Sequence, residues 1–269
     1  MIVAQVTDTH VTSGGELVFG MIDTADRLVR CVEHLNHLDP RPDIVVMTGD
    51  LVDSGRPEQY RTLRGILAAI EQPIYVIPGN HDDRRALREE FSDHAYLPSD
   101  GEFLHYAIDN HPLRLIGLDT TVPGEPWGDL CPRRLQWLDS RLSERRDRPT
   151  VVIMHHPPFL TGLSSMDWQN CRHGKELGEI IRHHPQVIRI LCGHVHRAIQ
   201  VQWEGVVSST APSPAHAVAF DLRTDSPFNF ILEPPACQIH YWRKEIGFVS
   251  HISFIGDFGG PHPFDSGEE

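Results

Sequence analysis

PIYVIPGNHDD, residues 73–83, runs an apolar segment straight into a turn that holds an amide, an imidazole and two carboxylates. The β-branched and aromatic side chains of residues 73–79 are those of a short strand, and Pro78 and Gly79 punctuate its end. A strand that ends only to turn needs a Gly or an Asn and one charge to keep the loop in water. Asn80, His81, Asp82 and Asp83 exceed that need, so the stretch reads either as a solvated turn or as a turn built of ligands. The surrounding chain weighs the two readings.

The same sequence grammar recurs through the first 200 residues. Apolar runs at 2–7, 43–49, 113–119, 150–155 and 187–193 are further strand candidates. Between them lie amphipathic segments. Residues 24–38 place Leu28, Cys31, Val32, Leu35 and Leu38 on one stripe, and 174–184 do so with Leu177, Ile180 and Ile181. Segments 58–70 and 132–145 are also expected to be helical, and the alternation predicts an α/β fold. From Ile199 the pattern changes to short β-like runs at 199–203, 206–209, 216–222, 237–243 and 247–255, broken by APSP (211–214) and EPPA (233–236). Residues 197–269 are therefore expected to supply sheet-completing strands plus a cap or oligomerisation element, with a Gly/Pro-rich acidic tail after about Gly256.

Polar residues gather where the strands end: Asp8 and His10 in TDTH, Asp50 in TGD, Asn80 and His81 in GNHD, His155 and His156 in MHHPP, His194 and His196 in GHVH. Each has an ordinary reading. DxH serves as a turn or helix cap, GD is a turn dipeptide, and HHPP suits a surface turn. GHVH is more pointed, because two imidazoles two residues apart face the same way on an extended chain. Loops at strand C-termini are where α/β proteins place their sites, so five such ends can converge on one spot.

Composition narrows the chemistry. Hydrophobic residues make up 40% and charged residues 23% of the 269, the balance of a soluble globular chain. No run approaches the roughly 18 apolar residues of a membrane span. A formal net charge of −13 argues against a long polyanion such as nucleic acid, though not against a small phosphorylated substrate. Five cysteines, an odd number with no CxxC, favour neither a disulfide framework nor a thiolate zinc site. Eighteen histidines point towards metals. The opening MIVAQVTDTH is already strand-like, with none of the features of a secretion signal, and a cytoplasmic location is expected.

Taken together, DxH, GD, GNH, HHPP and GHxH resemble the signature of the calcineurin-like metallophosphoesterases. GDLVDSGRPEQY (49–60) and SSTAPSPAH (208–216) are similar to the glycerophosphodiesterases and class III cyclic nucleotide phosphodiesterases in particular. The resemblance implies a four-layer αββα sandwich, with residues 1–196 as catalytic core, around two divalent metal ions. It implies that Asp8, His10 and His196 bind the first metal and Asn80, His155 and His194 the second, with Asp50 between them. His81 would face the phosphate and donate to it or protonate the leaving alkoxide, His216 would assist nearby, and His156 would orient His155. All seven ligand positions hold the expected residue type. Mixed nitrogen and oxygen ligands suit Zn, Mn, Fe or Co, and a bridging carboxylate can span two ions through its two oxygens.

The implied function is hydrolysis of small phosphodiesters, glycerophosphodiesters or 3′,5′-cyclic nucleotides, by a metal-activated hydroxide. Rival readings are a phosphomonoesterase or protein phosphatase, which would clamp a dianion with arginine, and a non-catalytic scaffold, which would lack part of the ligand set. Arg84 and Arg85 follow the turn only after two aspartates. The expected assembly is a homo-oligomer, with Phe228, Phe230, Tyr241, Trp242, Phe248 and Phe254 completing the core, capping the site or meeting another subunit. His34, His37, His183 and His184 are assigned to helix surfaces.

Overall fold

The computed structural model describes residues 1–264. In chain order the strands are β1 (Ile2–Val6), β2 (Ile44–Thr48), β3 (Ile74–Ile77), β4 (Tyr106–Ile108), β5 (Arg114–Leu118), β6 (Thr150–Met154), β7 (Val187–Cys192), β8 (Ile199–Trp203), β9 (Val206–Thr210), β10 (Ala217–Val218), β11 (Phe230–Ile231), β12 (Ala236–Arg243) and β13 (Gly247–Phe254). The helices are α1 (Thr24–His37), α2 (Pro57–Leu67), α3 (Arg84–Glu90), α4 (Pro132–Glu144), α5 (Ser164–Asp167) and α6 (Gly174–His183). One sheet has the order β13-β12-β1-β2-β3 and the other β4-β5-β6-β7-β9-β8.

Side-chain alternation builds four layers from these elements. On β6, Val151 and Ile153 join the core shared with the first sheet, while Val152 and Met154 pack with Leu138 and Leu142 of α4 and Leu177 and Ile181 of α6. Across the molecule, Val45 and Met47 meet Leu28, Cys31 and Val32 of α1. Both faces of each central strand are thus covered, which is why these strands read as unbroken apolar runs. Helix ends follow local chemistry. Asp23 caps α1 by accepting from the Asp26 amide at 2.9 Å, and Pro57 and Pro132 open α2 and α4, where a missing N–H costs nothing.

The C-terminal strands enter both sheets. β9 lies parallel to β7, and β12 lies antiparallel to β1, with Ile2 opposite Tyr241. Trp242 and Phe248 pack against the main core, whereas Phe228 and Phe254 are exposed. The expected strand 216–222 shrinks to Ala217–Val218, paired with Phe230–Ile231 in a two-stranded piece. Helix α3 and strand β4 lie outside the expected elements; both are short, and short elements carry little periodicity. His184 is a correction: it is fully buried beyond α6, its Nε2 2.7 Å from Asp139 Oδ1, because the helix stops at His183 and turns the next ring inward. The last five residues of the expected acidic tail, 265–269, lie outside the described residues.

Candidate metal centre

Parallel neighbours β1 and β2 of one sheet, and β6 and β7 of the other, end on the same side, and their following loops meet. Backbone bonds lock the loops in register: Asp8 N donates to Gly49 O and His10 N to Asp50 O, both at 3.0 Å. Asp8, His10, Asp50, His194 and His196 all have φ between 43° and 72°. Five non-glycine residues in the left-handed region within one cluster is backbone strain of the kind that gathers at functional sites. Glycines give the loops room to close. A Cβ on Gly79 would strike the Asp50 amide and carboxylate and lie 2.8 Å from His155 Cε1.

The two carboxylates that closed the opening stretch have structural work. Asp82 accepts from the amides of Gly79 (2.8 Å) and Leu51 (3.1 Å) and from the Tyr60 hydroxyl (2.9 Å), stapling the turn after β3 to the loop after β2. Asp83 caps α3 by accepting from Ala86 N at 2.8 Å. Asn80 and His81 are left to face the pocket.

The ligand atoms converge in two groups. In the first, His10 Nε2 lies 3.3 Å from His196 Nε2 and 3.7 Å from Asp50 Oδ2, and His196 Nε2 lies 3.5 Å from Asp8 Oδ1. In the second, Asn80 Oδ1 lies 3.1 Å from His155 Nε2 and 3.0 Å from His194 Nδ1, and Asp50 Oδ2 is 3.4 Å from His155 Nε2. Asp50 therefore faces both groups through the single oxygen Oδ2. Its Oδ1 accepts from the His81 amide at 2.8 Å.

Tautomers decide what such a cluster can hold. His155 Nδ1 donates to Thr48 O at 2.8 Å, and His196 Nδ1 to His216 O at 3.1 Å. Neutral imidazoles so fixed present bare Nε2 lone pairs inward, His155 towards Asn80 Oδ1 and Asp50 Oδ2, His196 towards Asp8 Oδ1. Acceptors face acceptors, an arrangement held together only by protons or cations. The chain alone answers with protons: burial raises the Asp8 carboxyl to about 7, and His155, though burial opposes it, is raised to about 9 by Asp50. Burial pushes His194 down to about 3, with His155 adding to the effect, and drives His10 and His196 down as well. The neutral imidazoles of His10, His194 and His196, and that of His155 once a cation replaces its proton, are with the buried carboxylates the donor set of a dication site.

Around these groups, His156 is fully buried, its Nδ1 2.8 Å from Thr120 Oγ1 and its ring 4.7 Å from that of His155. The His216 ring lies 4.4 Å from His196 and 5.5 Å from His10. His81 is exposed, with Nδ1 donating to Asp53 O at 2.7 Å. Asp53, missed in the sequence, also sets a carboxylate oxygen 3.6 Å from His10 Nδ1, where it can orient the ring. Only its place three residues after Asp50 could have hinted at this. His10, Asp53, His81 and His216 line a pocket of about 580 Å³, together with Asp50, Asn80, His194 and His196. Arg84 points elsewhere: it makes a two-pronged ion pair with buried Asp119, at 2.6 and 3.0 Å.

The sequence profile of the calcineurin-like phosphoesterases matches residues 1–198. The chain belongs to that family. Among its relatives is a probable glycerophosphodiester phosphodiesterase from Arcobacter nitrofigilis, 41% identical over 98% of this chain and 97% of the relative. A cAMP/cGMP dual specificity phosphodiesterase from Mycobacterium tuberculosis is 34% identical over 80% of this chain and 68% of its own length. Among solved structures, a dimetal phosphatase from Danio rerio superposes with a TM-score of 0.66 at 15% identity, covering 93% of this chain and 98% of that one, a likeness of fold. For this calcineurin-like phosphoesterase, the two-sheet α/β architecture and a His/Asp cluster compatible with divalent metal ions thus agree with the motifs.

Proposed function

We propose that the protein is a metal-dependent phosphodiesterase acting on small diesters, with glycerophosphodiesters and 3′,5′-cyclic nucleotides as candidate substrates. The observation that carries this reading is the convergence of nitrogen and oxygen acceptors on both sides of Asp50 Oδ2. In it, Asp8, His10 and His196 would hold one ion and Asn80, His155 and His194 the other, with Asp50 between them. Two dications in those positions supply Lewis-acid chemistry, offsetting charge on the phosphoryl oxygens and lowering the pKa of water towards about 7.

The chain's own groups do the rest. The amide of His81 fixes Asp50 Oδ1, so that Oδ2 stays turned inward. With His81 Nδ1 committed to Asp53 O, Nε2 is the atom left to carry a proton to the departing alkoxide. His216 packs on the His10 and His196 rings and restrains their orientation. None of the described residues lining the pocket is Lys or Arg, which favours a singly charged diester over a monoester dianion. The 41% identical relative, named as a probable glycerophosphodiester phosphodiesterase, supports the same substrate class.

Two coarser proposals accompany it. The C-terminal segment caps the pocket through Phe228, Asn229 and Phe230, which line it, and its exposed Phe228 and Phe254 are buried in a homo-oligomer, which light scattering at micromolar concentration tests. A cytoplasmic location is supported by five cysteines that are all unpaired.

The deciding assay compares kcat/KM of metal-loaded protein on a glycerophosphodiester, cyclic AMP, an aryl diester and the matching aryl monoester. Diesters should exceed the monoester. Turnover of the monoester alone would replace the reading with a phosphomonoesterase.

A further inference from the structure

Besides its histidines and other polar groups, the pocket has an apolar lining of Val18, Phe19, Met166, Val218, Phe228 and Phe230. Two small pieces of structure assemble its aromatic part. Val18 and Ile22 exchange backbone hydrogen bonds at 3.0 Å in a tight turn that carries Phe19. The β10–β11 pair sets Phe230 opposite Val218. The Phe19 and Phe230 rings stack with centroids 4.4 Å apart and planes 15° apart, and Phe19 meets the His216 ring edge-on at 5.4 Å. The wall is thereby joined to the metal-binding cluster through one histidine.

Phe19 is an odd residue for its place. Its φ is 51° and that of Gly20 is 69°, two successive left-handed residues of the kind that turns fill with Asn, Asp or Gly. A bulky side chain there is strained. Burial does not offset the strain, since Phe19 is 59% exposed and Phe228 67% exposed. Neither turn chemistry nor core packing calls for a phenyl ring at this position. Its place at the mouth of the pocket does, because a bound apolar group would cover that surface.

We propose that Phe19 and Phe230, with Phe228 beside them, form the subsite for the alcohol half of the diester and select planar or apolar alcohols over compact polyols. The inference rests on the phosphodiesterase reading above and narrows its candidates: a flat group such as a nucleoside is favoured in this subsite and glycerol, a compact polyol, is not. The pocket has the size of a small-molecule site, with volume left beyond a phosphate group. Asn229 and Gln169, also in its lining, offer amide groups to polar edges of a flat substituent. The lack of Lys and Arg among the described lining residues disfavours an alcohol that carries a second anion.

A pair of diesters with one leaving group isolates the subsite: benzyl p-nitrophenyl phosphate and methyl p-nitrophenyl phosphate. Departure of p-nitrophenoxide is common to both, so the ratio of their kcat/KM values reads the retained alcohol. Metal-loaded wild type should favour the benzyl ester by about tenfold or more, the usual scale for filling an apolar pocket. Phe19→Ala and Phe230→Ala should each pull the ratio towards one, and Phe19→Tyr should keep it. Phe228→Ala, which truncates an exposed ring, gives a variant whose folding is not at stake. Calorimetric binding of benzyl phosphate against methyl phosphate to the same proteins supplies a readout that needs no turnover. A wild-type ratio near one, or a ratio unmoved in all three alanine variants, overturns the subsite. Failure of wild type to cleave either diester overturns the phosphodiesterase reading instead, and the calorimetry then decides the subsite alone.

Discussion

Lowering the pH from 7.5 to 5.0 should destabilise the fold through His240, which lies outside the pocket lining. His240 lies on β12, fully buried, with Nε2 3.1 Å from Gln5 Oε1 and Nδ1 2.8 Å from Ser250 Oγ. Gln5 in turn donates to Thr48 Oγ1 and to Cys192 O, so one polar network ties β12 and β13 to β1, β2 and β7. The neutral ring satisfies it, donating from Nε2 to the amide oxygen and accepting the serine proton at Nδ1. A second proton, on Nδ1, would turn Ser250 Oγ into an acceptor and leave a buried positive charge beside Arg189 with no carboxylate to offset it. Burial, with Arg189 adding to it, pushes the His240 pKa down to about 3 from the ordinary 6.5. Since the unfolded chain takes up that proton first, stability is intact above the unfolded pKa and falls as pH drops below about 6.5. Protonation of the unfolded ring alone amounts to about 2 kcal/mol at pH 5.0 and almost nothing at pH 7.5. Urea unfolding of wild type and His240→Gln at both pH values gives the test. Other buried histidines make both proteins acid-sensitive, but wild type should lose about 2 kcal/mol more than the variant. Equal losses would refute the argument that the ring is held neutral by its burial and its two partners.

Arg84→Met leaves the Asp119 carboxylate fully buried, with only the amides of Leu104 and Thr121 and the Thr121 hydroxyl as donors; stability should fall by about 3–5 kcal/mol in chemical unfolding, and a loss under about 1 would mean the pair is dispensable. Gly79→Ala meets no positive-φ penalty, so its cost is purely steric: about 1–3 kcal/mol, with weaker metal binding by titration, and unchanged affinity would show that the loop yields freely. His81→Ala should keep its metal and lose about 10²–10⁴-fold in rate, less for good leaving groups; a loss independent of leaving group would mean that Nε2 positions the phosphate rather than delivering a proton.

Much of the site was legible because its residues are tied to strand ends, and strand ends are marked in sequence by the switch from apolar runs to Gly, Pro and turn residues. Asp8, His10, Asp50, Asn80, His155, His194 and His196 could be read that way, and the structure brings them together. What the sequence hid depends on partners distant along the chain. Nothing local to 236–243 says that this segment lies beside β1, since that pairing depends on contacts some 235 residues apart, such as Gln5 with His240. Nor does residue type separate Asp50, which faces the imidazoles, from Asp82 and Asp119, which satisfy backbone amides and an arginine. Phe19 escaped notice for a related reason: an aromatic residue before glycine looks like the end of an apolar run, and only its φ and its neighbours reveal the turn.

Metal content of Asp50→Ala against wild type tests the central claim most directly, because every other ligand serves one group of atoms while Asp50 Oδ2 faces both. Both proteins are saturated with Mn²⁺ or Zn²⁺, freed of loose metal by gel filtration and analysed by elemental mass spectrometry, with circular dichroism confirming the fold. Wild type should retain two dications per chain and cleave an aryl diester, whereas Asp50→Ala should lose both ions and the activity together. Two tightly held ions in a folded Asp50→Ala chain, or full diesterase activity in wild type stripped of metal, would contradict the account.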